Sequence, residues 1–162
     1  MAEDRIEAIL SARGVVLPQP LVMPAPNRRP WFLLGQTLYL SGHGSALLDE
    51  SVGPARIGKV PSEVSQAEAA RVAEAVALKM LATIQNAVGR LDTVAQVVKL
   101  TGYVNCDPDF DAPNAIINGA SDLFLAVYGP EAGCHCRSAI GAGALVARQS
   151  VEIEGIFLVR GG

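Results

Sequence analysis

The chain has 162 residues, a formal charge of −3, 50% apolar residues and 18% charged ones. That length suits one sizeable core, and the composition excludes a disordered or fibrous chain. No apolar run is long enough to span a bilayer, and lysine and arginine are scattered rather than clustered, which argues against nucleic acid as the main partner.

Residues 2–13 mix acid and base around Ile6, Ile9 and Leu10, a spacing that predicts a short helix with one apolar stripe, ended by Gly14. The amino terminus carries acid where a secretory signal carries base, so a cytoplasmic location is expected. Pro18, Pro20, Pro24 and Pro26 then fix an extended connecting arm up to Arg29. From Trp31 to Gly42 two strand-like halves flank Gly35-Gln36, a predicted hairpin turn. Residues 42–61 read as a loop with short extended pieces, closed by Gly58-Lys59-Val60-Pro61.

The clearest element is a helix over 66–88. Ser65 and Glu68 form a capping-box pair, Ala69, Val72, Ala73, Val76, Met80, Ile84 and Val88 repeat at helical spacing, and Gly89 ends it. Residues 93–105 are dense in β-branched side chains and predict a strand. A second helix is expected over 112–128, with Ile116, Ile117, Leu123, Phe124 and Val127 inward and Gly129-Pro130 as its stop. Two further strands are expected over 134–142 and 150–160. In the last, Val151, Ile153, Phe157 and Val159 share one face while Glu152, Glu154 and Arg160 share the other. The order predicts an α+β fold with two main helices on one face of a mixed β-sheet and an extra amino-terminal helix. The domain reading is an N-terminal helix and proline-rich arm over 1–30, and one α+β domain over 31–162.

Chemistry concentrates in Gly133-Cys134-His135-Cys136-Arg137-Ser138-Ala139-Ile140-Gly141 and in Glu152. A guanidinium in an apolar, small-residue strand is costly unless an anion meets it, so Arg137 asks for a carboxylate. That carboxylate is either a ligand or a structural partner, Glu152 or Glu154, on a neighbouring strand. The glutamates alternate with apolar residues, which by itself is the ordinary wet face of a half-buried strand. Cys134, His135 and Cys136 invite a metal reading, but on a strand the cysteines point opposite to the histidine, and structural sites need four convergent ligands. No metal site is expected. The three cysteines are an odd number, expected to be reduced, with Cys134 and Cys136 as small packing residues. His43 borders a cleft or caps a strand end. Asn118 to Asp122 either line a site or hold a helix turn.

Several spaced motifs resemble the Rid family, also called the YjgF family, and in particular a longer branch of it. They are Ser41-Gly42-His43, Val104-Asn105, Asp109-Phe110, Ile117-Asn118-Gly119-Ala120-Ser121-Asp122-Leu123, and Gly133 to Gly141. The resemblance runs from about Trp31 to Arg160. It implies a chorismate mutase-like subunit in a homotrimer, with small clefts between neighbours in which reactive enamines and imines are hydrolysed. By that resemblance Arg137 holds the carboxylate of a 2-imino or 2-keto acid and Glu152 positions or activates water. Backbone groups near Gly42 and Ala139 and the side chain of Asn118 line the pocket by the same resemblance, His43 and His135 are further candidate substrate-binding residues, and no cofactor is needed. The chain departs from the best-known deaminases in carrying Arg28 where they have a tyrosine and Ala139 where they have a cysteine. The alternatives are a non-catalytic sensor of keto acids and, against the acidic charge, the ribonuclease label attached to some relatives.

Overall fold

The computed structural model describes residues 4–23 and 26–161. Ala2 and Glu3 of the expected first helix, and Pro24 of the arm, lie outside them. Helix α1 (Arg5–Ala12) is capped by the Asp4 carboxylate, which accepts from the amides of Ile6 and Glu7, and it buries Ile6 and Leu10. An extended arm without helix or strand leads to a hairpin, β1 (Trp31–Leu34) and β2 (Thr37–Gly44), turning at Gly35 with φ 58°. A positive φ there is why glycine occupies the turn. The segment that follows is a loop with a different texture from the expected one. β2 runs on to Gly44, and three single 3-10 turns, Ser45–Leu47, Glu50–Val52 and Pro54–Arg56, replace extended pieces.

Helix α2 (Gln66–Val88) has the expected capping box, with both hydrogen bonds of the Ser65–Glu68 pair made, and ends at Gly89 with φ 81°. Strand β3 (Val94–Asn105) leads to α3 (Pro113–Ala132). Gly129 kinks α3 at φ 82° without ending it, because Pro130 then opens one more turn, where its missing N–H costs nothing. Strands β4 (Cys136–Ala142) and β5 (Val151–Val159) complete the fold. β4 starts two residues later than expected. The Gln96 side-chain amide takes the Cys134 carbonyl at 2.7 Å, and His135 Nδ1 takes the Gly133 carbonyl at 2.7 Å, so this stretch is held by side chains rather than by a ladder.

The five strands form one mixed sheet in the order β1-β2-β5-β3-β4, antiparallel except for the parallel β3–β4 pair. Helices α2 and α3 cover one face. Their Val76, Met80, Ile84, Ile117 and Phe124 pack on Leu38, Leu100, Ile153 and Phe157, all buried. Phe124 and Phe157 meet with ring centroids 5.6 Å apart. The helices approach closely at Gly119, where an added Cβ would lie 2.0 Å from the Ala70 carbonyl oxygen. The opposite face of the sheet carries Tyr39, Thr101, Tyr103, Ile140, Glu152, Glu154, Ile156 and Leu158, and all of these keep solvent contact. No helix of the described residues is long and apolar enough to cross a membrane.

Candidate functional site

Arg137 lies on β4, the edge strand, aligned with Leu100 of β3 and therefore on the helix side of the sheet. Its Nη1 donates to Asn118 Oδ1 at 2.8 Å and to Ser121 Oγ at 3.1 Å, both on α3. Those two bonds use both Nη1 hydrogens, and no hydrogen bond among the described residues uses Nε or Nη2. The free edge is the fork that receives a carboxylate side-on. None of the ion pairs among the described residues involves Arg137. A structural bridge to Glu152 or Glu154, one of the two sequence readings, is therefore absent, because those carboxylates stand on the other face of the sheet. Arg137 borders a shallow depression of about 420 Å³ shared with Ser121, Leu125, Gly133, Cys134 and His135.

His135 packs edge-on to Phe124 at 6.5 Å and contacts Ser121 Oγ through Nε2 at 3.0 Å. Ala139 follows two places along β4 on the same side, aligned with Gly102 and packed against the core. Cys134 and Cys136 are exposed, which corrects the packing role expected for them, and Cys106 is the buried thiol. With Cys134 and His135 outside the strand, the alternation argument against a metal does not apply to them. Among the described residues no group of three or more His, Cys, Asp or Glu is arranged to hold a metal ion.

Glu152 sits on the other face, aligned with Tyr103 of β3 and Gly44 of β2. Its carboxylate is half-buried and occupies space that only glycine leaves open, since a Cβ on Gly42 would fall 1.9 Å from Glu152 Oε1. Gly44 makes the same room for Gln149, whose amide donates to Glu152 Oε2. Burial pushes the Glu152 pKa up, the neighbouring Glu154 charge adds to that, and the Gln149 hydrogen bond opposes it. Sequence reasoning missed Gln149. It falls in a connector without periodicity, and only the fold turns it back toward Glu152.

His43 corrects an expectation. It is fully buried, aligned with Ile153, with Nδ1 on the Ser41 carbonyl at 2.7 Å and Nε2 on Thr83 Oγ1 of α2 at 2.9 Å. Both nitrogens are occupied inside the core, so His43 ties β2 to α2 and offers nothing to a ligand. Burial lowers its pKa from 6.5 to about 4. The seven residues expected at one site thus fall into a group around Arg137 (Asn118, His135, Ala139), a pair on the far face (Gly42, Glu152), and one core residue.

No family model matches the chain. It is 35% identical over 156 residues to protein TCP17 of Trypanosoma cruzi, covering 96% of this chain and 95% of that one. The crystal structure of Atu1372 from Agrobacterium tumefaciens, a protein of unknown function, is 35% identical and superposes with a TM-score of 0.86 over 97% of this chain and 94% of that chain. A structure from Shewanella oneidensis, described as an endoribonuclease candidate, also reaches 0.86 at 23% identity, over 95% and 99% of the two chains. The YjgF gene product of E. coli shares the fold at 0.55 and 22% identity, over 88% and 94%. The five-stranded mixed sheet and the two helices on one face agree with these likenesses: the chain belongs to the Rid, or YjgF-like, family.

Proposed function

We propose that this chain hydrolyses small, reactive 2-imino acids and their enamine tautomers to 2-keto acids and ammonia, in clefts formed between copies of a cytoplasmic homotrimer. The observation that carries the reading is a half-buried guanidinium with its side-on fork free and no carboxylate partner among the described residues. Such a group is matched to a planar carboxylate. Arg137 holds the substrate carboxylate through Nε and Nη2. Glu152 accepts a proton from water as the oxygen adds to the imine carbon, and its raised pKa brings it nearer the working pH of a general base. Proton transfer to nitrogen then releases ammonia as the carbonyl forms. Nothing is oxidised or reduced, so the chemistry asks only for orientation, water and a proton acceptor.

Arg137 and Glu152 belong to opposite faces of one sheet, and this supports placing the reaction between copies. The exposed Tyr39, Ile140 and Leu158 on the uncovered face suit burial against a neighbour. A cyclic threefold assembly has heterologous interfaces, in which the Arg137 edge of one copy can meet the Glu152 face of the next. The ribonuclease name carried by some fold relatives fits this chain poorly, because a net charge of −3 without a basic stripe is unsuited to a phosphate backbone.

The test is to generate 2-aminoacrylate or 2-iminobutyrate in situ with a pyridoxal-phosphate dehydratase and follow keto acid appearance. Acceleration by wild type that Arg137→Ala abolishes supports the reading. Keto acid binding without acceleration points instead to a non-catalytic sensor of carboxylates.

A further inference from the structure

The Arg137 fork is useful only if the guanidinium is held with Nε and Nη2 outward, and with a neutral His135 ring the residues behind it form a chain with one consistent set of proton positions. His135 Nδ1 lies 2.7 Å from the Gly133 carbonyl oxygen, which can only accept, so Nδ1 carries the hydrogen. In the neutral ring Nε2 is then an acceptor, and its partner at 3.0 Å is Ser121 Oγ. Ser121 has one hydroxyl hydrogen, and Nε2 takes it. The oxygen therefore faces Arg137 with lone pairs only, and Nη1 donates to it at 3.1 Å. The second Nη1 hydrogen goes to Asn118 Oδ1 at 2.8 Å.

We infer that Ser121 and His135 are positioning residues, a Gly133–His135–Ser121 relay that fixes the Arg137 guanidinium so that its Nε/Nη2 edge meets the substrate carboxylate. This rests on the proposed carboxylate-binding role of Arg137 and changes the part expected of His135, which acts through Ser121 and not on the substrate. The backbone supports the same assignment. His135 lies just outside β4, where its ring can turn back to the Gly133 carbonyl and pack edge-on against Phe124. Ser121 and Asn118 are three residues apart on α3, so they present both acceptors to one nitrogen. Without the relay the hydroxyl hydrogen is free to point at Nη1, and the guanidinium loses one of its two anchors.

The test combines ligand affinity with two spectroscopic signatures in the full-length protein. Nitrogen-15 NMR of His135 should show the Nδ1–H tautomer, and rotation about the Arg137 Cζ–Nε bond should be slow in wild type and faster in Ser121→Ala. The same substitution should weaken 2-oxobutyrate binding, and raise KM for the imino acid, about fivefold with kcat little changed, the scale of one hydrogen bond. Ser121→Thr should restore both. His135→Phe keeps a ring against Phe124 and should match Ser121→Ala, while His135→Gln, which returns an acceptor near Nε2, should stay near wild type. The Ser121→Ala, His135→Phe double variant should be no worse than either single one. An Nε2–H tautomer, unchanged guanidinium rotation in Ser121→Ala, or losses that multiply in the double variant would overturn the relay. If Arg137→Ala leaves 2-oxobutyrate binding intact, the carboxylate role of Arg137 fails instead, and the tautomer and rotation measurements still decide whether the relay exists.

Discussion

Arg137 and Glu152 stand on opposite faces of the same sheet. Arg137 is aligned with buried Leu100 and bonded to α3, whereas Glu152 is aligned with Tyr103 on the face that no helix covers. One copy cannot bring the two groups to one small molecule. The guanidinium keeps a free fork, and burial raises the proton affinity of the carboxylate.

Removing the guanidinium should separate binding from folding. We expect Arg137→Ala to weaken 2-oxobutyrate binding by about 3 kcal/mol, on the order of a hundredfold, as the loss of a bidentate charged pair. Stability should fall by only about 1–2 kcal/mol, since two partly exposed hydrogen bonds to α3 are lost and no ion pair is broken. Arg137→Lys should not rescue binding, because an ammonium lacks the fork. Calorimetric titration and thermal melting check these outcomes.

Glu152 makes stability depend on pH with a definite sign. Its folded pKa is raised above the ordinary 4.5, so the native state binds the proton more tightly than the unfolded chain. The contribution is fully present below pH 4.5 and is lost as pH rises through the folded value. Glu152→Gln should therefore melt higher than wild type near pH 7 and no higher near pH 4. It should also abolish turnover while keto acids still bind. The acid limb of the wild-type rate profile should lie above 4.5.

Two glycines should respond differently to the same methyl group. In Gly42→Ala the new Cβ meets the end of the flexible Glu152 side chain, which can swing away, so activity should fall with little loss of stability. In Gly119→Ala it meets the Ala70 carbonyl of α2, and two helix backbones must part. Overpacking of that kind costs about 1–3 kcal/mol or more. Denaturant unfolding of both variants against wild type distinguishes the cases.

His43→Phe should lower stability near neutral pH, because it removes the Nε2 bond to Thr83 that joins β2 to α2 and the Nδ1 bond to the Ser41 carbonyl within β2, and it should leave keto acid affinity unchanged. The depressed pKa of His43 contributes stability that is present above pH 6.5 and is lost as pH falls toward 4. The shift corresponds to a loss on the order of 3 kcal/mol. In His43→Phe this part of the acid sensitivity should disappear, as melts between pH 7 and pH 4 would show.

Local signals were legible wherever periodicity or capping chemistry dominates. Helix α2 has the expected bounds because Ser65, Glu68 and Gly89 each act on adjacent backbone. The inward residues of β5 follow from alternation alone. What sequence could not show was the outcome of side-chain competition for the backbone. Gln96 and His135 take carbonyls near β4 and delay its start, and Gly129 with Pro130 bends α3 rather than stopping it. The family resemblance put His43, Asn118, Arg137 and Glu152 at one expected site, but the sheet has two faces and an interior. Which of these a residue occupies depends on strand order and on the β2 bulge between Leu40 and His43, and neither is written locally.

The central claim is that Arg137 of one copy and Glu152 of another complete each site, and mixing two inactive variants tests it most directly. Arg137→Ala and Glu152→Gln chains, dissociated together and reassembled in equal amounts, should regain imine hydrolysis in about a quarter of the sites, the share in which an intact arginine faces an intact glutamate across a threefold heterologous interface. Activity that stays at the level of the separate variants, in assemblies shown to contain both chains, would contradict the account.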